Sequence, residues 1–387
     1  MVKVKEVHFN YDQNSATADA LNIRKNQTIG TLIQAPEWRE GQPSQPAAYA
    51  VNALGNIVRI KAKFSNGPEK GTLKIRAIDA YMPPPEPSGC LGWLVYWLLL
   101  ISQAIFGNVL GNVKEKDVAF NAQGNSGLEE FELVNHRLKQ SGVGIHTTTW
   151  KWQFKQGNQW VDFGTTDHKV YLVLDIPAGP WQQQVMSGGM ENTQLPWVDA
   201  LEVACAWALG ATTKGMAARK ITEGLNANSL LSYNPITFFG SSPYFLSSFL
   251  GQLKAGNPFQ LNCRDCADAV TTLSNLLGCD LWEGVMQSLN TRKILGIGGN
   301  AAVELDWKNW SWGWHEVAWL HAIGQNEHVY DGCLQLDMDN NYNDLVHIAH
   351  LPIKMKFGQN DPNDYRYRLV ESNPCTLENV PRRRQVA

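Results

Sequence analysis

Asn262-Cys263-Arg264-Asp265-Cys266-Ala267-Asp268-Ala269 is the stretch on which the reading of this chain turns. From Cys266 an apolar pattern runs through Ala269, Val270, Leu273, Leu276 and Leu277 at helical spacing, and Gly278 ends it. The spacing predicts a helix with Cys263 in its first turn, Asn262 as N-cap and Asp265 where acidic side chains are favoured. Aligned peptide dipoles at a helix N-terminus favour a thiolate over a thiol, with Asp265 working weakly in the opposite sense. Pro258-Phe259-Gln260-Leu261 leads extended into the helix, and the backbone N–H of Cys263 is free to face an oxyanion.

A thiol attacks a carbonyl only as the thiolate, so it needs a proton acceptor beside it and a third group to orient that acceptor. Downstream, Trp314-His315-Glu316-Val317 opens a segment, through Ala318-Trp319-Leu320, whose β-branched and aromatic content suits a strand. Gly324-Gln325-Asn326 is turn-like, and His328-Val329-Tyr330-Asp331 reads as a second strand. A short hairpin lays the two antiparallel and brings Asp331 beside His315; Asp337 is the competing carboxylate if the register runs longer.

Cys-Arg-Asp-x-Ala at a helix start, then His with a hydrophobic strand, then a strand ending in Asp, resembles the transglutaminase-like superfamily of papain-type thiol enzymes. The resemblance covers roughly residues 196 to 340 and includes the helical region Pro196 to Ile221 ahead of the cysteine. It implies an α+β domain in which Cys263 is the nucleophile, His315 the base and Asp331 the residue that closes the triad. It also implies a peptide or side-chain amide substrate, and neither a metal nor another cofactor in the chemistry. Asn262 departs from the small residues common beside the family cysteine. The Trp-rich run Trp307 to Trp314 has no place in the family pattern.

Each of these residues has a plainer reading. A cysteine on a helix is usually a small core hydrophobe, and Cys266 falls on the apolar face. Cys263-x-x-Cys266 is also half of a zinc or redox motif, but no second ligand pair follows; Cys279 and Cys333 are isolated. His321, His328, His347 and His350 read as surface or core residues. Trp310, Trp312 and Trp314 share parity on a strand, which suits a core face; the alternative makes Trp312 and Trp314 the wall of an acyl-substrate groove.

The chain has 387 residues, 44% of them hydrophobic, enough for two or three packed domains. Alternation at Ile57–Phe64, Gly71–Ile78, Lys116–Phe120, Phe131–Asn135, His146–Phe154 and His168–Leu174, separated by Gly- and Asn-rich turns, predicts an antiparallel β-sandwich. The expected multidomain α+β organisation is an N-terminal extension over 1–45, a sandwich over 46–178 with an apolar insertion at about 84–113, and a transglutaminase-like domain over 179–387. Strand-like alternation at Tyr365–Val370 is expected to complete the second domain's sheet.

Balanced charge, 33 Lys+Arg against 36 Asp+Glu, gives no electrostatic case for nucleic acid, and Arg382-Arg383-Arg384 reads as a solvated terminus. Seven scattered cysteines suit a reducing compartment, and Met1 to Glu6 contains no apolar signal core. A cytoplasmic protein, or one exported without a cleaved leader, is therefore expected. Residues 90–111 are uncharged and about long enough to cross a bilayer, for which roughly 20 residues suffice. As an insertion within a sandwich they are expected to pack on the protein or a protein partner, with membrane contact as the alternative.

These features point to thiol-dependent acyl transfer or hydrolysis, of protease, deamidase or transglutaminase type, with an exported effector as one setting. The alternatives are a non-catalytic binding or structural module that keeps the fold, and a membrane-inserting toxin led by residues 90–111.

Overall fold

The structure, a computed structural model, describes residues 1–387 apart from 12–15, 29, 81–107, 178–194, 237, 241–242, 299–303, 306–311, 322–323, 325, 340, 342–345, 359, 373–374 and 379–380. It divides into two compact units: Met1–Lys25 with Thr31–Ile176, and Asn26–Gly30 with Pro177–Ala387.

Among the described residues the first unit is built from nine strands: β1 (Lys3–His8), β2 (Trp38–Arg39), β3 (Ala47–Ala50), β4 (Arg59–Ser65), β5 (Thr72–Asp79), β6 (Asn112–Ala119), β7 (Glu129–Val134), β8 (Gly144–Gln156) and β9 (Gln159–Val173). They join in one hydrogen-bonded path, β2-β1-β4-β7-β6-β5-β8-β9-β3. β7 carries the path around: Glu129–Glu132 pair with β4, then Leu133 and Val134 pair with β6. Although β4 and β8 are distant along this path, Phe64 and Trp152 stack edge to face at 5.3 Å, so the sheet curls over and packs its two halves against each other. The strands are antiparallel except β3 beside β9, and the expected pair of separate sheets is one continuous curled sheet instead.

The long β8–β9 hairpin follows from period-2 alternation and a two-residue loop, Gly157-Asn158, in which Gly157 takes φ +57°. Trp150 and Trp152 on β8 are fully buried, and their indole N–H groups donate to Gly111 O at 2.9 Å and Thr166 Oγ1 at 3.0 Å. Trp152→Ala is expected to cost about 3–5 kcal/mol through lost contacts and the cavity left behind, measured as a lowered denaturant midpoint for this unit.

Residues 1–45 are not an extension outside the sheet, because β1 pairs with both β2 and β4. Val4 and Val7 are the buried residues of β1, with Val2 and Phe9 buried on its flanks; a bulge between Val4 and Glu6 shifts their parity, which hides the strand from a period-2 reading. Of the apolar segment 90–111, residues 90–107 lie outside the described residues, whereas Val109 and Leu110 are buried in this unit's core. Among the described residues no helix is long and apolar enough to cross a membrane.

In the second unit, α1 (Val198–Trp207), α2 (Lys214–Asn226) and α3 (Leu246–Ala255) precede the central helix α4 (Cys263–Leu276). The short parallel strands β10 (Leu231–Tyr233) and β11 (Phe259–Leu261) lead the chain to α4. Next come β12 (Leu281–Thr291), β13 (Ile294–Gly296), β14 (Glu304–Leu305), β15 (Trp312–Leu320), β16 (His328–Tyr330), β17 (Leu334–Asp337), β18 (Ala349–His350), β19 (Ile353–Lys356), helix α5 (Tyr365–Leu369), β20 (Val370–Ser372) and β21 (Thr376–Leu377). One sheet runs β19-β16-β15-β12-β20, with β21 also on β12; a second runs β14-β13-β17-β18. Met286, Leu289, Val317, Trp319, Val329 and Phe357 share a buried core cluster, and α4 packs against β12 and β15.

Two expectations fail here. Tyr365–Leu369 is a helix, not a strand: Tyr365, Arg368 and Leu369 are its buried residues, the i, i+3, i+4 set of a helical face. The basic run at 382–384 is not a solvated terminus either. Arg384 is 8% exposed among three carboxylates, and Arg383 lies over the Trp282 ring at 3.7 Å.

Candidate active site

The start of α4 is fixed by a reciprocal pair of hydrogen bonds. Asn262 Oδ1 accepts from Asp265 N at 3.0 Å, and Asp265 Oδ2 accepts from Asn262 N at 3.1 Å. Asp265 also accepts from the backbone N–H groups of Phe238, Phe239 and Gly240, at 3.0 and 2.7 Å for the first two. Its charge is thus spent on ordering the loop over the helix start. Asn262, the departure from the resembling family, is here the cap that sets the first turn. Cys263 stands at the first helical position, where a backbone N–H has no carbonyl one turn back to bind.

β15 runs antiparallel to β12, with His315 opposite Met286, and to β16, with Ala318 opposite Tyr330. Asp331 directly follows β16, and this hairpin register delivers it to His315: Nε2 and Asp331 Oδ2 are 2.8 Å apart. The Cys263 thiol lies near enough to the same imidazole to favour its charged form. Cys263, His315 and Asp331 are 4%, 0% and 1% exposed, so the cluster is almost wholly removed from water. Burial works against the imidazolium, but the Asp331 charge and hydrogen bond, helped by Cys263, outweigh it and push His315 up to about 10. The ring therefore carries its second proton at neutral pH.

Asp331 is in turn held from three sides. Oδ2 accepts from the Tyr365 hydroxyl at 2.7 Å as well as facing the imidazole, and Oδ1 accepts from Cys333 N at 2.8 Å. Burial, then the neighbouring Asp331 charge, keeps Tyr365 protonated far beyond its ordinary range, as a donor must be. Sequence reasoning missed Tyr365. It lies 34 residues beyond Asp331 in a Tyr-Arg alternation that suits a strand as well as a helix, and nothing local marks it.

The remaining sequence candidates fall elsewhere. Asp337 Oδ1 accepts from Asp339 N at 3.1 Å and Ile348 N at 3.2 Å, in the turn leading to β18, and does not join the cluster. Cys266 is buried core near Cys333, and burial raises both thiols. Trp314 is 38% exposed and alternates to the strand face opposite His315, so the core-face expectation fails for it. Trp312 pairs through its backbone with Leu289, and Trp310 lies outside the described residues. Tyr233 on β10 is near Cys333, Cys263, Cys266 and Asp331, and burial first, then those groups, keeps its hydroxyl protonated.

No family model matches the chain, and no curated protein matches it. Among solved structures, that of red sea bream transglutaminase aligns over 76% of this chain and 50% of its own, with TM-score 0.35 and 11% identity. The chain thus spans about half the length of that neighbour. A likeness so slight carries neither a fold assignment nor an activity, and the case for chemistry rests on the side chains themselves.

Proposed function

We propose that this protein is a thiol acyltransferase or hydrolase acting on peptide or side-chain amides, with Cys263 as nucleophile, His315 as acid and base and Asp331 as the group that orients the imidazole. The observation that carries this reading is the 2.8 Å approach of His315 Nε2 to a fully ligated Asp331, on a ring that lies near a thiol at a helix start.

With Nε2 turned to Asp331, Nδ1 is the nitrogen that exchanges a proton with the sulfur. The thiolate attacks the amide carbonyl, and the developing oxyanion is met by the first-turn N–H of Cys263. His315 then gives its proton to the departing nitrogen, which leaves as an amine or as ammonia, and a thioester remains on Cys263. Water attacking that thioester yields the acid, while a primary amine yields a new amide; either returns the free thiol.

The test is ammonia release and peptide cleavage from a glutamine-containing peptide panel, with and without an added primary amine. Turnover that disappears in Cys263→Ala supports the reading, and amine incorporation selects transfer over hydrolysis. Turnover surviving in Cys263→Ala, or no Cys263-dependent turnover across the panel, would overturn it. One observation favours a second reading, a non-catalytic module that keeps the fold: the 4% exposure of Cys263. Iodoacetamide separates the two, because a scaffold cysteine this buried reacts slowly whether or not His315 is present.

A further inference from the structure

Segment 381–387 reaches the back of the same cluster. Arg382 exchanges backbone hydrogen bonds with Glu283 at 2.8 and 3.0 Å, and Gln385 and Ala387 pair with Tyr244 at 2.8 Å each. Arg383 stacks on Trp282 and pairs with Asp280. Between these anchors the Arg384 guanidinium turns inward. Nη1 donates to Asp268 Oδ1 and to Glu283 Oε2, and Nη2 donates to Glu316 Oε1, each at 2.6 Å. The three acids are 0%, 0% and 2% exposed, and they stand on three different elements: α4, β12 and β15.

Two of those elements are the ones that carry the reacting groups. Asp268 lies on α4 five residues beyond Cys263, and Glu316 is the chain neighbour of His315 on β15. Gly240, whose N–H binds Asp265 at the helix start, closes the other side: a Cβ there would stand 2.7 Å from Asp268 Oδ2 and 2.8 Å from Arg264 Cγ. Arg264 reaches Glu316 only at 3.9 Å, so among the described ion pairs Arg384 makes the close contacts to these acids. Burial, ahead of the neighbouring charges, raises both Asp268 and Glu283.

We propose that Arg384 is a positioning residue for the Cys263–His315 pair, its planar guanidinium tying α4 to β12 and β15 and so setting the helix start that bears the sulfur against the strand that bears the imidazole. The inference rests on the acyl-transfer reading and assigns a regulating contact to its site. Nothing in the triad itself requires a cation there. Three buried carboxylates from three elements, with one guanidinium reaching all of them, make a joint whose geometry an ordinary core contact would not fix.

The test uses the full chain and the alkylation of Cys263 by iodoacetamide, followed by peptide mass across pH. Arg384→Met alone strands buried charge, so it is combined with Asp268→Asn and Glu283→Gln and compared with that double variant retaining Arg384. The expected result is a cooperative thermal transition like that of the comparison variant, but alkylation about tenfold to a hundredfold slower, with the pH profile displaced toward that of His315→Ala. Arg384→Lys, which keeps the charge but not the planar fork, is expected to fold and give an intermediate rate, and it decides the matter should the triple variant not fold. Unchanged rate and profile in a folded Arg384 variant would sink the positioning role alone. Alkylation of the unaltered chain that ignores His315→Ala would instead sink the acyl-transfer reading beneath it.

Discussion

Replacing His315 by Ala is expected to slow iodoacetamide alkylation of Cys263 at least about thirtyfold at about pH 7, since an ordinary thiol is only a few per cent thiolate there. In the native cluster a buried imidazolium lies near the sulfur, and the His315 ring keeps its proton to about 10. Removing the ring deletes the cation that this site sets against a thiolate, and leaves the sulfur with the nearby Asp331 charge. Cys266 and Cys279 supply internal controls. Burial raises both thiols, Cys279 up to about 12, so they are expected to stay slow in both proteins. Turnover on any amide substrate is expected to fall further, by about three to four orders of magnitude, because the same ring must also protonate the leaving nitrogen. Equal alkylation rates in the two proteins would remove the basis for a working triad.

How much of this was legible in the sequence depends on how local each feature is. The helix start at Cys263 was readable because its signals lie within a few residues: a cap at Asn262, an acid at Asp265, apolar spacing to Leu277 and Gly278 to end it, which takes φ +85°. The approach of Asp331 to His315 was readable because a hairpin fixes register over a short loop. The curled sheet was readable strand by strand wherever alternation was unbroken, and β1 was lost where a bulge shifted parity. Tyr365 and Arg384 were not readable. Each acts on residues brought together by chain segments far apart in sequence, 34 residues for Tyr365 and as many as 116 for Arg384. Their local contexts, a Tyr-Arg alternation and a basic run, carry ordinary meanings that tertiary placement overrides. Trp314 failed for the opposite reason: a large aromatic on a strand is usually core, and here it faces solvent.

Asp331→Asn is expected to reverse the protonation of His315 while leaving the shape of the site nearly intact. Asn keeps one accepting oxygen for Cys333 N or the Tyr365 hydroxyl, so the loop after β16 retains partners. What disappears is the negative charge 2.8 Å from Nε2. Burial alone lowers a histidine, and once the Asp331 charge is gone that cause is largely unopposed, so the ring falls below its ordinary 6.5 and is neutral at physiological pH. Two consequences separate this from a packing defect. The alkaline limb of Cys263-dependent activity, set by loss of the imidazolium near 10 in the native protein, moves to the acid side of 6.5, and activity at about pH 7 drops about a thousandfold. Stability changes its pH dependence as well. Because the folded value of His315 is raised above the unfolded one, its contribution is fully present below about 6.5 and is lost as pH rises through about 10. The native protein should therefore lose denaturation midpoint across that window through this group, and Asp331→Asn should lack that loss. Parallel midpoint curves for the two proteins from about pH 6 to 10 would mean that the charge on Asp331 does not govern the ring, and orientation alone would then have to explain any fall in activity.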